Sequence, residues 1–114
     1  MTLNHLNLTV ADPVATSEFL ARHFALRPGG GNGGMQVLYD DQGLVLTLIK
    51  GRREDIRYPS TFHIGFIQPS EEHVNAINRR LRDEGVAVDP PARMHGAWTF
   101  YFPAPGGFTI EVMA

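Results

Sequence analysis

The chain has no cysteine, which excludes disulfides and thiolate chemistry, so any metal site must be built from His, Asp, Glu or weaker ligands. It has no uninterrupted apolar run long enough to span a bilayer and no basic, apolar leader, so we expect a soluble cytoplasmic protein with no membrane partner. It also lacks a concentrated basic stretch. The net charge is -2 with both signs interspersed, which argues against nucleic acid as a partner, since phosphate binding needs a dense positive surface. What is present, 114 residues of which 43% are hydrophobic, suits one compact domain with a sizeable core, and a lone domain of this size is often stabilised further by self-association.

Three stretches share one design. In Leu3 to Val10, the large apolar residues Leu6, Leu8 and Val10 alternate with His5, Asn7 and Thr9, so a strand here turns His5 away from its apolar face. In Thr61 to Ile67, Phe62, Ile64 and Phe66 share one face and His63 takes the other. In Phe108 to Met113, Phe108, Ile110 and Val112 oppose Glu111. Two imidazoles and a carboxylate, each off the apolar side of its own strand, form a candidate ligand set for one cation.

Along the chain, Asp12-Pro13 supplies an N-cap and a proline for the first helical position of a helix over Pro13 to Phe24, whose apolar arc is Thr16, Phe19, Leu20 and Phe24. His23 borders that arc and reads as a half-buried structural histidine. Pro28 to Gly34 is so rich in glycine that turns and flexibility are expected there; without a terminal Gly-Lys-Ser/Thr opening a helix it is no phosphate loop. Strands over Met35 to Tyr39 and Leu44 to Ile49 flank the turn Asp40 to Gly43. Lys50 to Ser60 mixes Arg52, Arg53 and Arg57 with Glu54 and Asp55 and reads as a solvated connector. Ser70, Glu71 and Glu72 cap a second helix with the stripe Val74, Ile77 and Leu81, stopped by Gly85, and His73 in its first turn faces solvent. Short strands follow over Val86 to Val88, Ala97 to Phe102 and Phe108 to Met113, broken by Pro90-Pro91 and by Pro103 to Gly107.

The order of strand, helix and strands therefore occurs twice, about 1–50 and about 61–114 around a connector near 51–60. Aligning His5 on His63 superposes the two helices. Aligning Gly43 on Gly107 pairs Leu44, Leu46 and Leu48 with Phe108, Ile110 and Val112, and sets Thr47 on Glu111. A duplicated module thus offers four related ligand positions, held by His5, Thr47, His63 and Glu111, and threonine is a poor ligand.

The Leu-Asn-His-Leu-Asn-Leu-Thr-Val-Ala-Asp start, the Thr-Phe-His-Ile-Gly-Phe centre and the Phe-Tyr-Phe-Pro-Ala-Pro-Gly-Gly-Phe-Thr-Ile-Glu end resemble the vicinal oxygen chelate superfamily over nearly the whole chain. That superfamily includes glyoxalase I, extradiol dioxygenases, fosfomycin-resistance thiol transferases and bleomycin-resistance proteins. The resemblance implies an α+β fold of paired βαβββ modules in one domain, their mixed sheet curled around a cavity with helices outside. It also implies His5, His63 and Glu111 as ligands of a divalent ion: Fe2+, Mn2+, Ni2+, Co2+ or Zn2+. Thr47 departs from glyoxalase I, which has a carboxylate there, whereas two histidines and one carboxylate match the dioxygenase and fosfomycin-enzyme pattern.

Tyr101 precedes Glu111 at the spacing where both of those groups carry an active-site tyrosine. In Ala97 to Phe102 the alternation of Trp98, Phe100 and Phe102 sets Tyr101 and Thr99 on the less apolar side. Asn7, Thr47, His95 and Thr99 are candidate substrate-pocket residues; His95 is either an acid or base at the cavity mouth or a solvated loop residue. The reading is a metal-dependent enzyme of dioxygenase, lyase or thiol-transferase type, acting on a small oxygenated molecule and working as a homodimer. The alternative is a metal-free protein that sequesters an aromatic or cationic ligand, as bleomycin-resistance proteins do.

Overall fold

Alternation in the first stretch produces strand β1 (His5–Val10), which buries Leu8 and Val10 and leaves His5 and Asn7 exposed. Residues 1–53 and 55–114 are described in this computed structural model; Glu54, inside the expected connector, lies outside the described residues. Helix α1 (Pro13–Phe24) starts as read. Asp12 accepts the amide of Ala15 through Oδ1 at 3.1 Å, and Thr16 Oγ1 donates to the Asp12 carbonyl at 2.8 Å. A side-chain cap of this kind contributes about 1 kcal/mol. The buried face of α1 is Pro13, Thr16, Ser17, Leu20 and His23, rotated from the expected arc, so Phe19 and Phe24 are half-buried. His23 is 5% exposed, deeper than expected, with the Phe19 ring 4.7 Å from its own.

The glycine-rich segment departs from the expectation of a flexible turn. Arg27–Gly31 is strand β2, paired antiparallel with β3 (Met35–Tyr39), its register slipping between Pro28 and Gly31. Glycine is a poor strand former, but here the missing side chains are the requirement, since a Cβ on Gly29 would collide with the Tyr39 ring. The edge position of β2 also tolerates Pro28. Strand β4 (Val45–Lys50) lies inside the sheet, antiparallel to β3 and parallel to β1, giving the order β1-β4-β3-β2. Asp40 closes the β3–β4 turn by accepting the amides of Gln42 and Leu44 through Oδ1, both at 2.8 Å.

The second module repeats this plan with β5 (His63–Ile67), α2 (Glu71–Asp83), β6 (Ala92–Met94), β7 (Ala97–Pro103) and β8 (Thr109–Met113) in the order β5-β8-β7-β6. Ser70 caps α2, and Val74, Ile77 and Leu81 are buried on its inner face. The strand expected over Val86 to Val88 does not form; the edge strand is Ala92–Met94 instead. Asn78, fully buried on α2, explains why. Its amide donates to the Asp89 carbonyl at 2.8 Å and its Oδ1 accepts from Arg82 at 2.8 Å, so the chain before Pro90 is tied to the helix rather than to a strand. The chain divides into two compact units, Met1–Arg57 with Pro105–Gly107, and Tyr58–Ala104 with Phe108–Ala114.

If Asn78 anchors that segment, Asn78→Ala lowers stability by about 1–3 kcal/mol, read from urea unfolding, and speeds amide exchange at Val86–Asp89. Unchanged exchange there would contradict the anchoring role.

Candidate functional site

Partners across a ladder share a face, so register sorts the side chains of the second unit. Phe100 pairs with Val112 and Phe102 with Ile110, and all four are buried. Trp98 lies on the same side of β7 as these phenylalanines, its indole N–H donating to Asn75 of α2 at 2.7 Å. The opposite side carries the row Gly65–Glu111–Tyr101, with His63–Thr109 next to it. His63, Glu111 and Tyr101 are thereby brought together by strand pairing alone.

His63 Nε2 stands 3.4 Å from Glu111 Oε1, with the histidine side chain 42% exposed and the carboxylate side chain 13%. The other ring nitrogen, Nδ1, is 3.0 Å from the Thr61 carbonyl, which can only accept, so Nδ1 carries the hydrogen. In the neutral imidazole Nε2 is then a bare lone pair directed at a carboxylate oxygen. Two acceptors at that separation call for a proton or a cation between them.

Glu111 is held on its other sides. Thr99 Oγ1 lies 3.0 Å from Glu111 Oε2 and 3.0 Å from the Val112 carbonyl. Tyr101 also bonds Glu111, and its ring meets that of His63 edge-on at 5.6 Å. Its hydrogen bond to Glu111, followed by burial and by the carboxylate charge, raises the phenol pKa above the ordinary value, so Tyr101 keeps its proton. Gly65 leaves the remaining side uncovered; a Cβ there would sit 3.9 Å from Oε1.

The first unit carries the matching face with different chemistry. His5 has its Nδ1 2.7 Å from Asn4 Oδ1, so Nε2 is again the nitrogen left available. Where the second unit pairs Gly65 with Glu111, the first pairs Asn7 with Thr47, and the Thr47 hydroxyl donates to Asn7 Oδ1 at 2.7 Å. That bond uses the Thr47 hydrogen and the Asn7 oxygen and does not involve the Asn7 NH2 group. Among the described residues no group of three or more His, Asp or Glu is placed to hold a metal ion. The second unit thus offers two candidate ligands, and His5 belongs to the first unit.

Two expected pocket residues sit differently from expectation. Thr99 is fully buried, so it touches Glu111 rather than open space. His95, with φ 53, and Gly96, with φ 80, form the turn of the β6–β7 hairpin. Ala97, just past that turn, is four residues or about 13 Å along β7 from Tyr101, which puts His95 at the far end of the strand. The Thr61 carbonyl leaves no residue signature because it is a backbone oxygen, and Asn4, which meets His5 through its side-chain oxygen, carries no mark in the face alternation. Gly65 did leave one, since a lone glycine inside a strand marks a close approach.

Titration of metal-free protein should show Tyr101 ionising above about 10, isolated by difference from Tyr101→Phe, and Glu111→Gln should bring it back toward about 10. The stability this phenol contributes is present below about 10 and is lost as pH rises through the raised value. Ionisation of Tyr101 at or below the ordinary value would contradict the bond to Glu111.

Comparison with known proteins agrees with this architecture. The sequence model of the Glyoxalase/Bleomycin resistance protein/Dioxygenase superfamily matches residues 2–112. A protein from Bacillus cereus described as a possible glyoxalase is 52% identical, with a TM-score of 0.92 over 100% of this chain and 99% of that one. The fosfomycin resistance protein FosX from Listeria monocytogenes, complexed with Mn(II) and sulfate, is 24% identical, with a TM-score of 0.80 over 99% and 89%. Lactoylglutathione lyase from Agrobacterium tumefaciens is 18% identical, with a TM-score of 0.77 over 98% and 92%, and likenesses at this level speak for the fold alone. No curated protein matches the sequence. With a family match across almost its full length and the duplicated βαβββ plan in its fold, the chain belongs to the glyoxalase/bleomycin resistance protein/dioxygenase superfamily, the vicinal oxygen chelate proteins.

Proposed function

We propose that the protein is a metal-dependent enzyme acting on a small molecule with adjacent oxygens, with His5, His63 and Glu111 as the ligands of one divalent ion. The observation that carries this reading is the bare Nε2 of His63 facing Glu111 Oε1 at 3.4 Å, with Nδ1 fixed on a carbonyl. A ligating histidine characteristically donates its other N–H to an oxygen, and both His63 and His5 place Nδ1 on one. The donor set, two imidazoles and a carboxylate, fits Fe2+, Mn2+, Ni2+, Co2+ or Zn2+. When bound, such an ion supplies Lewis-acid polarisation of the substrate oxygens. The structural relative FosX was solved with Mn(II), which accords with this choice.

The protein's own groups have distinct tasks in this scheme. Tyr101 stays protonated and keeps its hydroxyl hydrogen on Glu111, which steadies the carboxylate beside the proposed ion. Gly65 leaves the approach to Glu111 open. The Asn7–Thr47 pair presents neutral polar atoms, which suits an oxygenated molecule and provides no second carboxylate of the glyoxalase I kind. Ring-cleaving oxygenation, thiol addition and lyase chemistry are all compatible with these parts. The ligand-sequestering alternative relies on aromatic side chains at the site, whereas Trp98 bonds Asn75 of α2 and lies under the Arg93 guanidinium, 5.5 Å from its ring centroid.

We further propose a homodimer in which one subunit supplies His5 and the other His63 and Glu111. The second unit contains two of the three ligands and His5 belongs to the first; modules of this kind pair either within the chain or by exchange between subunits.

Reconstituted protein should bind about one divalent transition metal per chain, and His5→Ala, His63→Ala or Glu111→Ala should each weaken binding strongly. Failure of Mn(II), Fe(II), Ni(II) and Zn(II) alike to bind stoichiometrically would sink the enzyme reading. In a screen of catechols, hemithioacetals, and epoxides with a thiol donor, turnover should vanish with Glu111→Ala; tight aromatic binding by metal-free protein with no turnover would favour sequestration. For assembly, light scattering should give a dimer, and mixing inactive His5→Ala and Glu111→Ala chains should recover activity. A metal-replete monomer rejects the shared site.

A further inference from the structure

We propose that Thr99 is a positioning residue that reserves one oxygen of Glu111 and so turns the other, alone, toward the metal; its effect on metal binding rests on the ligand assignment above. Thr99 is fully buried in β7, yet its hydroxyl has two acceptors at 3.0 Å, Glu111 Oε2 and the Val112 carbonyl. A hydroxyl has one hydrogen, and a carboxylate is a stronger acceptor than a neutral carbonyl, so the hydrogen goes to Oε2. Oε1 is the atom left facing His63 Nε2. A carboxylate with one oxygen engaged by a rigid, β-branched, buried side chain can neither rotate freely nor present both oxygens to one ion.

The internal repeat supplies a control. Thr99 aligns through the ladder with Met113, two residues past Glu111, and the same step in the first unit leads from Thr47 to Ile49, whose partner is Met35. The first unit therefore has methionine where the second has Thr99, and Thr47 where the second has Glu111. The hydroxyl is present in the half that carries the carboxylate and absent from the half that does not. A polar side chain in the middle of a core strand is accounted for by the group it holds.

The test compares wild type, Thr99→Val, which keeps the shape but loses the donor, and Thr99→Ser, which keeps the donor. Mn(II) affinity is measured by electron paramagnetic resonance, and crystal structures of the metal-free proteins report the Glu111 conformation. We expect Thr99→Val to weaken Mn(II) binding roughly 10–100-fold, with the Glu111 carboxylate rotated or spread over several conformers, and Thr99→Ser to restore both. Equal losses in the two variants, unchanged affinity in Thr99→Val, or a carboxylate that stays in place in Thr99→Val overturns the proposal. If wild type itself binds no Mn(II), the ligand assignment falls and the metal-free crystal structures decide alone: a displaced Glu111 in Thr99→Val upholds the positioning role, and an undisturbed one overturns it.

Discussion

The second unit depends on keeping a carboxylate, Glu111, mostly buried in the middle of a sheet. Removing a carboxylate from water costs several kcal/mol unless hydrogen bonds and opposite charge replace the solvent. The surrounding structure replaces it with the Thr99 hydroxyl and the Tyr101 phenol, both from β7, while His63 of β5 brings Nε2 to 3.4 Å from Oε1. Each of these comes from the strands flanking β8, so the sheet order β5-β8-β7-β6 is what assembles the site. The opposite side of the same strands carries Phe100, Phe102, Ile110 and Val112, whose burial holds the ladder in register. A one-residue slip would exchange the two sides and put the carboxylate in the core.

Duplication gave the two units the same frame and different contents. In the first, the Thr47 hydroxyl donates to Asn7 Oδ1, a neutral pair with no carboxylate to hold. In the second, glycine stands where Asn7 would be and glutamate where Thr47 would be, so the carboxylate meets no side chain directly across the ladder on the β5 side, while Tyr101 of β7 bonds it from the other. His63 stands beside it, with Nδ1 on the Thr61 carbonyl and Nε2 3.4 Å from Oε1. This asymmetry, rather than the fold shared with relatives of several chemistries, is what sets the second unit's site apart.

Much of this was legible in the sequence because period-two alternation marks both faces of a strand at once. His5, His63, Glu111 and Tyr101 emerged on the polar faces for that reason, and the alignment of Gly43 on Gly107 anticipated the equivalence of Thr47 and Glu111 that the ladders display. Alternation reports a face but not a depth, which is why Thr99 reads as pocket-lining although it is wholly buried, and His23 as half-buried although it is 5% exposed. Arg27–Gly31 was illegible as a strand because propensity counts glycine against strands, while here Gly29 makes room for the Tyr39 ring. Val86 to Val88 misled in the opposite direction: its alternation is real, with both valines half-buried, but Asn78 claims the Asp89 carbonyl that follows.

What lies between His63 Nε2 and Glu111 Oε1 decides whether this pair holds a metal. Nitrogen-15 NMR of the imidazoles, recorded on metal-free and Zn(II)-loaded protein, reads that gap directly. The expected result is a His63 ring with its hydrogen on Nδ1 whose Nε2 resonance moves on addition of the metal while the Nδ1 hydrogen stays. A His63 that carries a proton on Nε2 in both samples, with no change on adding metal, would show that the pair is an ordinary ion pair and would contradict the metal site.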